Sequence, residues 1–333
     1  MIGVIFGVIV PYIAVAIFVA GVVYRFVNWA NSAVPLKIPT TGGQQKSFPF
    51  IKRTIYDRFD SPYTWWETVG RMILEIFMFR SLLKNTRYYL DRASQKDARW
   101  LWLFAILFHY SLLLVLIRHS RFFLQPVPEF VEMLSEIEAF KGVFIPSVYI
   151  SGLAIVAGLF LLWLRRIFLS RERTLSLPSD HFALILLLAI TISGNIMRYF
   201  FKADLAAVKE LLMNLMVFNV GKAAAIADSI EPIFYIHFAL ASFLLAYFPF
   251  SKLMHAGGVL FTPTRNMPND NRAKRHINPW DSDPSVPILT KGITVSGMTF
   301  TSKKLDWDTY YSMYTDQLDE IAESDYKIVP EEL

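Results

Sequence analysis

The 333-residue chain is 54% hydrophobic and 15% aromatic but only 18% charged, well below the roughly one quarter of charged residues in a soluble domain. That excludes an ordinary soluble enzyme and a disordered scaffold, and it turns the formal net charge of +5 away from nucleic acid and toward the positive-inside bias of a membrane protein. With no cysteine, disulfides, thiolate-held iron–sulfur clusters, c-type haem attachment and the common zinc motifs are excluded as well, so any metal held by this chain rests on His, Met or carboxylates.

In chain order, five stretches reach the roughly 20 apolar residues that cross a hydrocarbon core: 3–24, 100–123, 147–169, 182–201 and 233–254. The first has no charge before Arg25 and no small-residue cleavage site, so it is expected to be a retained helix and not a signal peptide. The connection from Arg25 to Lys96 carries twelve Lys and Arg, and the turn after the third span carries Arg165, Arg166, Arg171 and Arg173. Residues 125–146 set only Lys141 against Glu129, Glu132, Glu136 and Glu138. The asymmetry predicts an N-terminus outside, with the 25–98 loop, the 165–180 loop and the C-terminus cytoplasmic; the plasma membrane of a prokaryote is the expected location.

Three stretches do not span. Residues 63–90 alternate Trp65, Trp66, Ile73, Ile76, Phe77 and Phe79 with Arg71, Arg80, Lys84 and Arg87, the pattern of an amphipathic helix on the cytoplasmic membrane surface. Residues 204–220 are apolar but too interrupted to cross. From 256 the chain turns polar, with twelve acidic against eight basic residues and Pro263, Pro268, Pro279, Pro284 and Pro287. Within it Leu305, Trp307, Tyr310, Tyr311, Tyr314 and Leu318 are more apolar than a free tail requires. The expected fold is an all-α integral membrane protein with a five-helix domain at 1–255, a cytoplasmic interfacial helix, and a polar cytoplasmic tail at 256–333 that wraps a partner.

Four of the six histidines lie in two of the five spans: His109 and His119 in the second, His237 and His255 in the fifth. Ionisable groups inside a bilayer are costly and functional by default; the rival account makes each a hydrogen-bonded packing residue. The second and fifth helices must run antiparallel. Spacings of ten and eighteen residues correspond to about 15 and 27 Å along a helix. Antiparallel running then pairs His109 with His255 and His119 with His237, as two stacked bis-imidazole b-type haems require. The unequal spacings demand tilted helices, tilted haems or a frayed end at His255. Ser111, Ser120 and Ser242 are nearby candidates to orient the rings, and Phe104, Phe108, Tyr110, Tyr235, Phe238 and Phe243 to pack porphyrin faces. His181 is expected beside a helix cap at Ser179 or Asp180, and His276 in solvent.

This arrangement resembles the gamma subunit family of respiratory nitrate reductase, which has five spans, an external N-terminus and the same two histidine spacings; the likeness covers about 1–255. Within it, Trp65-Trp66-Glu67, Phe77-Met78-Phe79-Arg80-Ser81 and the extended tail look most like the membrane cytochrome of the dissimilatory sulfite-reduction (Dsr) complex, with the cytochrome of membrane-bound heterodisulfide reductase as near neighbour. The resemblance implies a di-haem b subunit that oxidises menaquinol near the outer haem and feeds a cytoplasmic iron–sulfur subunit like the catalytic chain of heterodisulfide reductase. It also implies a periplasmic multihaem cytochrome c, a ferredoxin-like subunit and a second membrane subunit, but no nucleic acid. No motif here matches the family's quinone-contacting lysine. Arg118, beside His119, and Glu231, before the fifth helix, are the expected quinol-binding groups, with Arg121, Arg198 and Lys202 at the same depth. A stand-alone ferric or ascorbate-type cytochrome b, and a haem-free anchor or transporter, are the competing readings.

Overall fold

A computed structural model of the chain describes residues 2–32, 53–83, 86–89, 94–97, 99–140 and 148–269, together with two short strand segments at 294–295 and 298–299. Among the described residues five helices are long and apolar enough to cross a membrane: Ile2–Asn31, Arg99–Phe122, Ile150–Phe168, Pro178–Tyr199 and Pro232–Phe250. The protein is an all-α integral membrane protein. Each span begins or ends within a few residues of the range read from sequence, with two instructive exceptions. The first helix runs on to Asn31 because Arg25 does not end it; the Arg25 guanidinium donates to the carbonyl of Pro249, 2.9 Å away. The fifth stops short of 254, a difference that matters for His255.

The spans pack in a chain of neighbours: second on third, third on fourth, fourth on fifth, and fifth on first. The second and fifth share no comparable backbone packing. Phe108, Ile155, Leu159, Leu187 and Leu188 form the core that joins the second, third and fourth helices. The first helix buries Gly3, Gly7, Ala14 and Gly21, the small-residue face that lets membrane helices approach closely. A Cβ on Gly21 would lie 2.7 Å from the Pro249 Cβ.

The non-spanning stretch at 204–220 forms one helix, Leu205–Met216, and a second, Val220–Ala227, follows it. Phe218 adopts a positive φ of 57°, and the Asn219 side chain then accepts from the Lys222 N–H to start the second helix. Both lie over the core formed by Val8, Leu211, Leu215, Ala223, Ala227 and Phe234. They close the end of the bundle where the first and fifth helices begin.

The amphipathic stretch expected at 63–90 is shorter in the structure. A capping box between Thr64 and Glu67 starts a helix over Trp65–Met78, and Phe79, at φ 49°, ends it in the left-handed region. Buried Glu75 holds the break by accepting from the Ser81 backbone N–H at 3.1 Å and from the Ser81 hydroxyl. Tyr110 Oη donates to the Phe77 carbonyl and Trp102 Nε1 to the Met78 carbonyl, both at 2.8 Å. Two side chains of the second span thus satisfy carbonyls that a helix end leaves unpaired. Past Leu83 the chain forms a strand, Thr86–Tyr89, antiparallel to Ser94–Asp97. Trp65, Trp66, Ile73, Ile76 and Phe77 are exposed while Thr68 and Glu75 are buried, so the apolar face points away from the protein, as an interfacial helix requires.

The chain divides into Met1–Asn269 and Asp270–Leu333. Residues 256–269 fall in the first of these units. Asn269 donates from its backbone N–H to the Pro62 carbonyl at 2.6 Å and from Nδ2 to the Ser61 hydroxyl at 2.7 Å, and Arg265 reaches Glu75 at 3.2 Å. The aromatic stretch around Trp307 lies outside the described residues.

Candidate functional site

The helix order brings four imidazoles into two facing pairs. The ring centroids of His109 and His255 are 6.1 Å apart with planes at 85°, and those of His119 and His237 are 6.5 Å apart with planes at 30°. Where the second and fifth helices face each other, these rings make the approach that backbone packing does not.

Each ring is held by the same nitrogen. His109 Nδ1 donates to the Ala105 carbonyl and His119 Nδ1 to the Val115 carbonyl, both at 2.7 Å and both one helical turn back. His237 Nδ1 donates to the Ile190 carbonyl at 3.1 Å, with the Ser193 hydroxyl at 3.0 Å, and His255 Nδ1 to the Lys252 carbonyl at 3.0 Å. A carbonyl only accepts, so the proton sits on Nδ1 and the Nε2 lone pair is left for another atom. This is the arrangement by which metal-bound histidines are oriented. The acceptors are backbone carbonyls and not the hydroxyls of Ser111, Ser120 or Ser242; Ser193, on the fourth span, was not among the expected residues.

A metal–imidazole bond is about 2 Å long, so two rings on opposite sides of one iron have centroids roughly 6 Å apart. Both pairs meet that spacing. Gly194 supplies room on the fourth helix, because a Cβ there would approach His237 Cε1 to 3.1 Å. Among the described residues no group of three or more His, Asp or Glu converges to hold a bare metal ion. The histidines come in twos, and a pair at this spacing would fit a bis-imidazole haem.

His255 is not on the fifth helix as expected. The α-helix ends at Tyr247, a 3-10 turn covers Phe248–Phe250, Ser251 is extended, and a second 3-10 turn, Lys252–Met254, leads into the short helix His255–Gly258. The frayed end foreseen as one way to reconcile the two histidine spacings is an ordered break.

At the His119 end, Arg118 is held by three neighbours, although its Nε is buried without a hydrogen-bond partner. Its guanidinium lies 3.3 Å from Glu138, donates to Ser151 Oγ at 2.9 Å and sits 4.0 Å over the Tyr149 ring. Glu138 accepts from Ser151 Oγ at 2.6 Å, while its Oε1 is buried without a hydrogen-bond partner. Arg198 covers the same Tyr149 ring at 4.8 Å, and the Tyr149 N–H donates to Tyr199 Oη at 2.9 Å. Glu231 stands just before the fifth helix and accepts from the Asp204 N–H at 3.2 Å; it is exposed. Arg118 is turned to Ser151, at the start of the third span.

Sequence reasoning missed Glu138, Asp180 and Phe79. Glu138 was read as one more loop acid, though an acid just before an apolar helix that faces Arg118 is visible in the residues. Asp180 was read only as a helix cap, which it is, accepting from the Leu177 N–H at 3.1 Å; it also meets Lys252 at 2.7 Å and Arg166 at 3.7 Å. Phe79 sets its ring edge-on to His109 at 5.0 Å, and no local signal forecasts that contact.

Fold and site together define an all-α membrane protein built around two facing histidine pairs. The family described as nitrate reductase gamma subunit matches residues 66–268, and the chain belongs to that family. It is 87% identical over 333 residues, 100% of both chains, to the "Hdr-like menaquinol oxidoreductase cytochrome b-like subunit" of Archaeoglobus fulgidus (strain ATCC 49558 / DSM 4304 / JCM 9628 / NBRC 100126 / VC-16). It is 52% identical over 325 residues, 97% of this chain and 96% of the other, to the protein of the same description from Archaeoglobus profundus (strain DSM 5631 / JCM 9629 / NBRC 100127 / Av18).

Proposed function

We propose that this chain is the di-haem cytochrome b subunit of a menaquinol-oxidising membrane complex. The observation that carries the reading is the pair of facing imidazole couples, each ring with Nδ1–H tied to a carbonyl and its Nε2 lone pair available. His109 and His255 hold one haem and His119 and His237 the other, and each haem, when bound, supplies a one-electron centre. The chain orients the four rings through their Nδ1–H bonds.

The reaction is the two-electron oxidation of menaquinol at the outer face, with two protons released there and both electrons delivered to a cytoplasmic iron–sulfur partner. A partner is needed because this chain has no cysteine with which to hold a cluster. The names of the two relatives support the quinol. Their "Hdr-like" description favours a heterodisulfide-reductase-type partner over a sulfite-reduction complex. Arg118 and Glu231 remain the proposed polar groups at the quinol end, with Arg118 acting together with Glu138.

The test is a redox-difference spectrum and haem count on the detergent-purified chain, followed by a menaquinol analogue. Two b-type haems reduced by the quinol are expected. A fully folded chain without haem would overturn the reading.

A further inference from the structure

An uninterrupted helix would carry His255 about 27 Å from His237, whereas His109 and His119 are separated by about 15 Å. The break after Tyr247 removes that mismatch, but it also removes the rigidity a helix lends its side chains. Something else must fix the turn that carries His255. Within that turn Ser251 Oγ donates to the Phe248 carbonyl at 2.9 Å and accepts from the Leu253 N–H at 3.1 Å, and Met254 is buried. These contacts shape the turn, and Leu253 packs against the core that Leu187 and Leu188 of the fourth helix help form, but neither ties it to that helix by a polar contact.

The tie comes from Asp180, in the first turn of the fourth span. Its side chain is 7% exposed, and Oδ1 lies 2.7 Å from Lys252 Nζ. Oδ2 accepts from the Leu177 N–H at 3.1 Å and lies 3.7 Å from Arg166, so the carboxylate is anchored to the helix start and the third span. Lys252 in turn offers its carbonyl to His255 Nδ1–H at 3.0 Å. An unbroken series of contacts thus runs from the cap of one helix, through a lysine, to the nitrogen that orients the ring.

We propose that Asp180 and Lys252 form a strut that sets the position and plane of His255, which makes Asp180 a positioning residue for the His109–His255 pair. The proposal rests on the reading of that pair as haem ligands. It assigns unequal weights to the two partners. Without Asp180, Lys252 and Arg166 both lose their carboxylate. Without the Lys252 ammonium, Arg166 still faces Asp180, so the milder effect belongs to the lysine.

The test uses the full-length, haem-loaded chain in detergent with Asp180→Asn, Lys252→Met and Lys252→Arg, read by haem count, midpoint potential and the low-spin signals of the oxidised protein. Asp180→Asn is expected to shift or deplete one haem, the same one that His109→Ala removes, and to leave the other unchanged. Lys252→Met should move the same signal less, and Lys252→Arg should restore it. If Asp180→Asn fails to fold, Lys252→Met carries the test alone, because that side chain is 71% exposed. A wild-type chain with two haems and unmoved signals in Asp180→Asn or, failing that, in Lys252→Met overturns the strut alone, as does an equal shift of both haems. A wild-type chain without haem overturns the strut together with the reading beneath it.

Discussion

The imidazole planes of His109 and His255 meet at 85°, almost a right angle, while those of His119 and His237 are inclined at only 30°. On a low-spin ferric iron, parallel axial rings split the d-orbital pair that they overlap, and perpendicular rings leave that pair nearly degenerate. The axial ligands are among the means by which a protein sets a haem's properties, so two haems held by these pairs, as proposed, would differ in the angle between their ligand rings.

Electron paramagnetic resonance of the oxidised protein is therefore expected to resolve two signals, one highly anisotropic and one rhombic. His109→Ala or His255→Ala removes the first, and His119→Ala or His237→Ala the second. Loss of different signals from His119→Ala and His237→Ala would break the pairing.

Gly194 gives the His237 ring its room. Gly194→Val places branched atoms where even a Cβ comes to 3.1 Å of the imidazole, and overpacking of this kind costs about 1–3 kcal/mol. The expected outcome is a lower unfolding temperature in detergent and a shift of the rhombic signal, with the anisotropic one unmoved.

Glu138 is buried and Arg118 mostly so, with side chains 8% and 12% exposed. Removing one partner strands the other charge, at a cost of about 3–5 kcal/mol for a buried pair. Glu138→Ala should thus lower thermal stability more than Glu138→Gln, in which an amide oxygen can still accept from Ser151. If the pair also serves the quinol, Glu138→Gln retains both haems by dithionite reduction but slows their reduction by the menaquinol analogue in stopped-flow mixing.

Glu67 ties the start of the interfacial helix to Arg53, at 3.1 Å. Burial by itself would raise its pKa, but the Tyr63 N–H, the Arg53 guanidinium and the Thr64 N–H outweigh that and hold it below its ordinary value near 4.5. A carboxylate lowered on folding contributes stability above its unfolded pKa and loses it as pH falls through the folded value. Protection factors over residues 53–78, taken relative to the intrinsic amide rates at each pH, should fall as the pH drops through the lowered Glu67 pKa. Glu67→Gln should exchange faster at neutral pH and lose that dependence.

The spans were legible in the sequence because crossing a bilayer demands a long apolar run, a constraint written in consecutive residues. The histidine pairs were legible for a similar reason, since helix rise and antiparallel order turn spacing into depth. Segment ends were less so. The stop at Phe79 needs a left-handed phenylalanine held by Glu75 and by Tyr110 and Trp102 from another helix, and propensity does not forecast such long-range help. The same holds for His255: the Phe248–Ser251 break is marked by Pro249, but what it achieves depends on where Asp180 stands.

By itself, then, the sequence determined the class of the protein and its inventory: five apolar helices, four histidines in or just beyond two of them, and no thiol to hold a cluster. These follow from periodicity and chemistry along the chain. Tertiary structure decided which carbonyl holds each imidazole, how steeply the paired rings are inclined, and that Arg118 is locked to Glu138 and Lys252 to Asp180. Those features are contacts between helices far apart in sequence, and each distance is set by how the spans pack and not by any local preference.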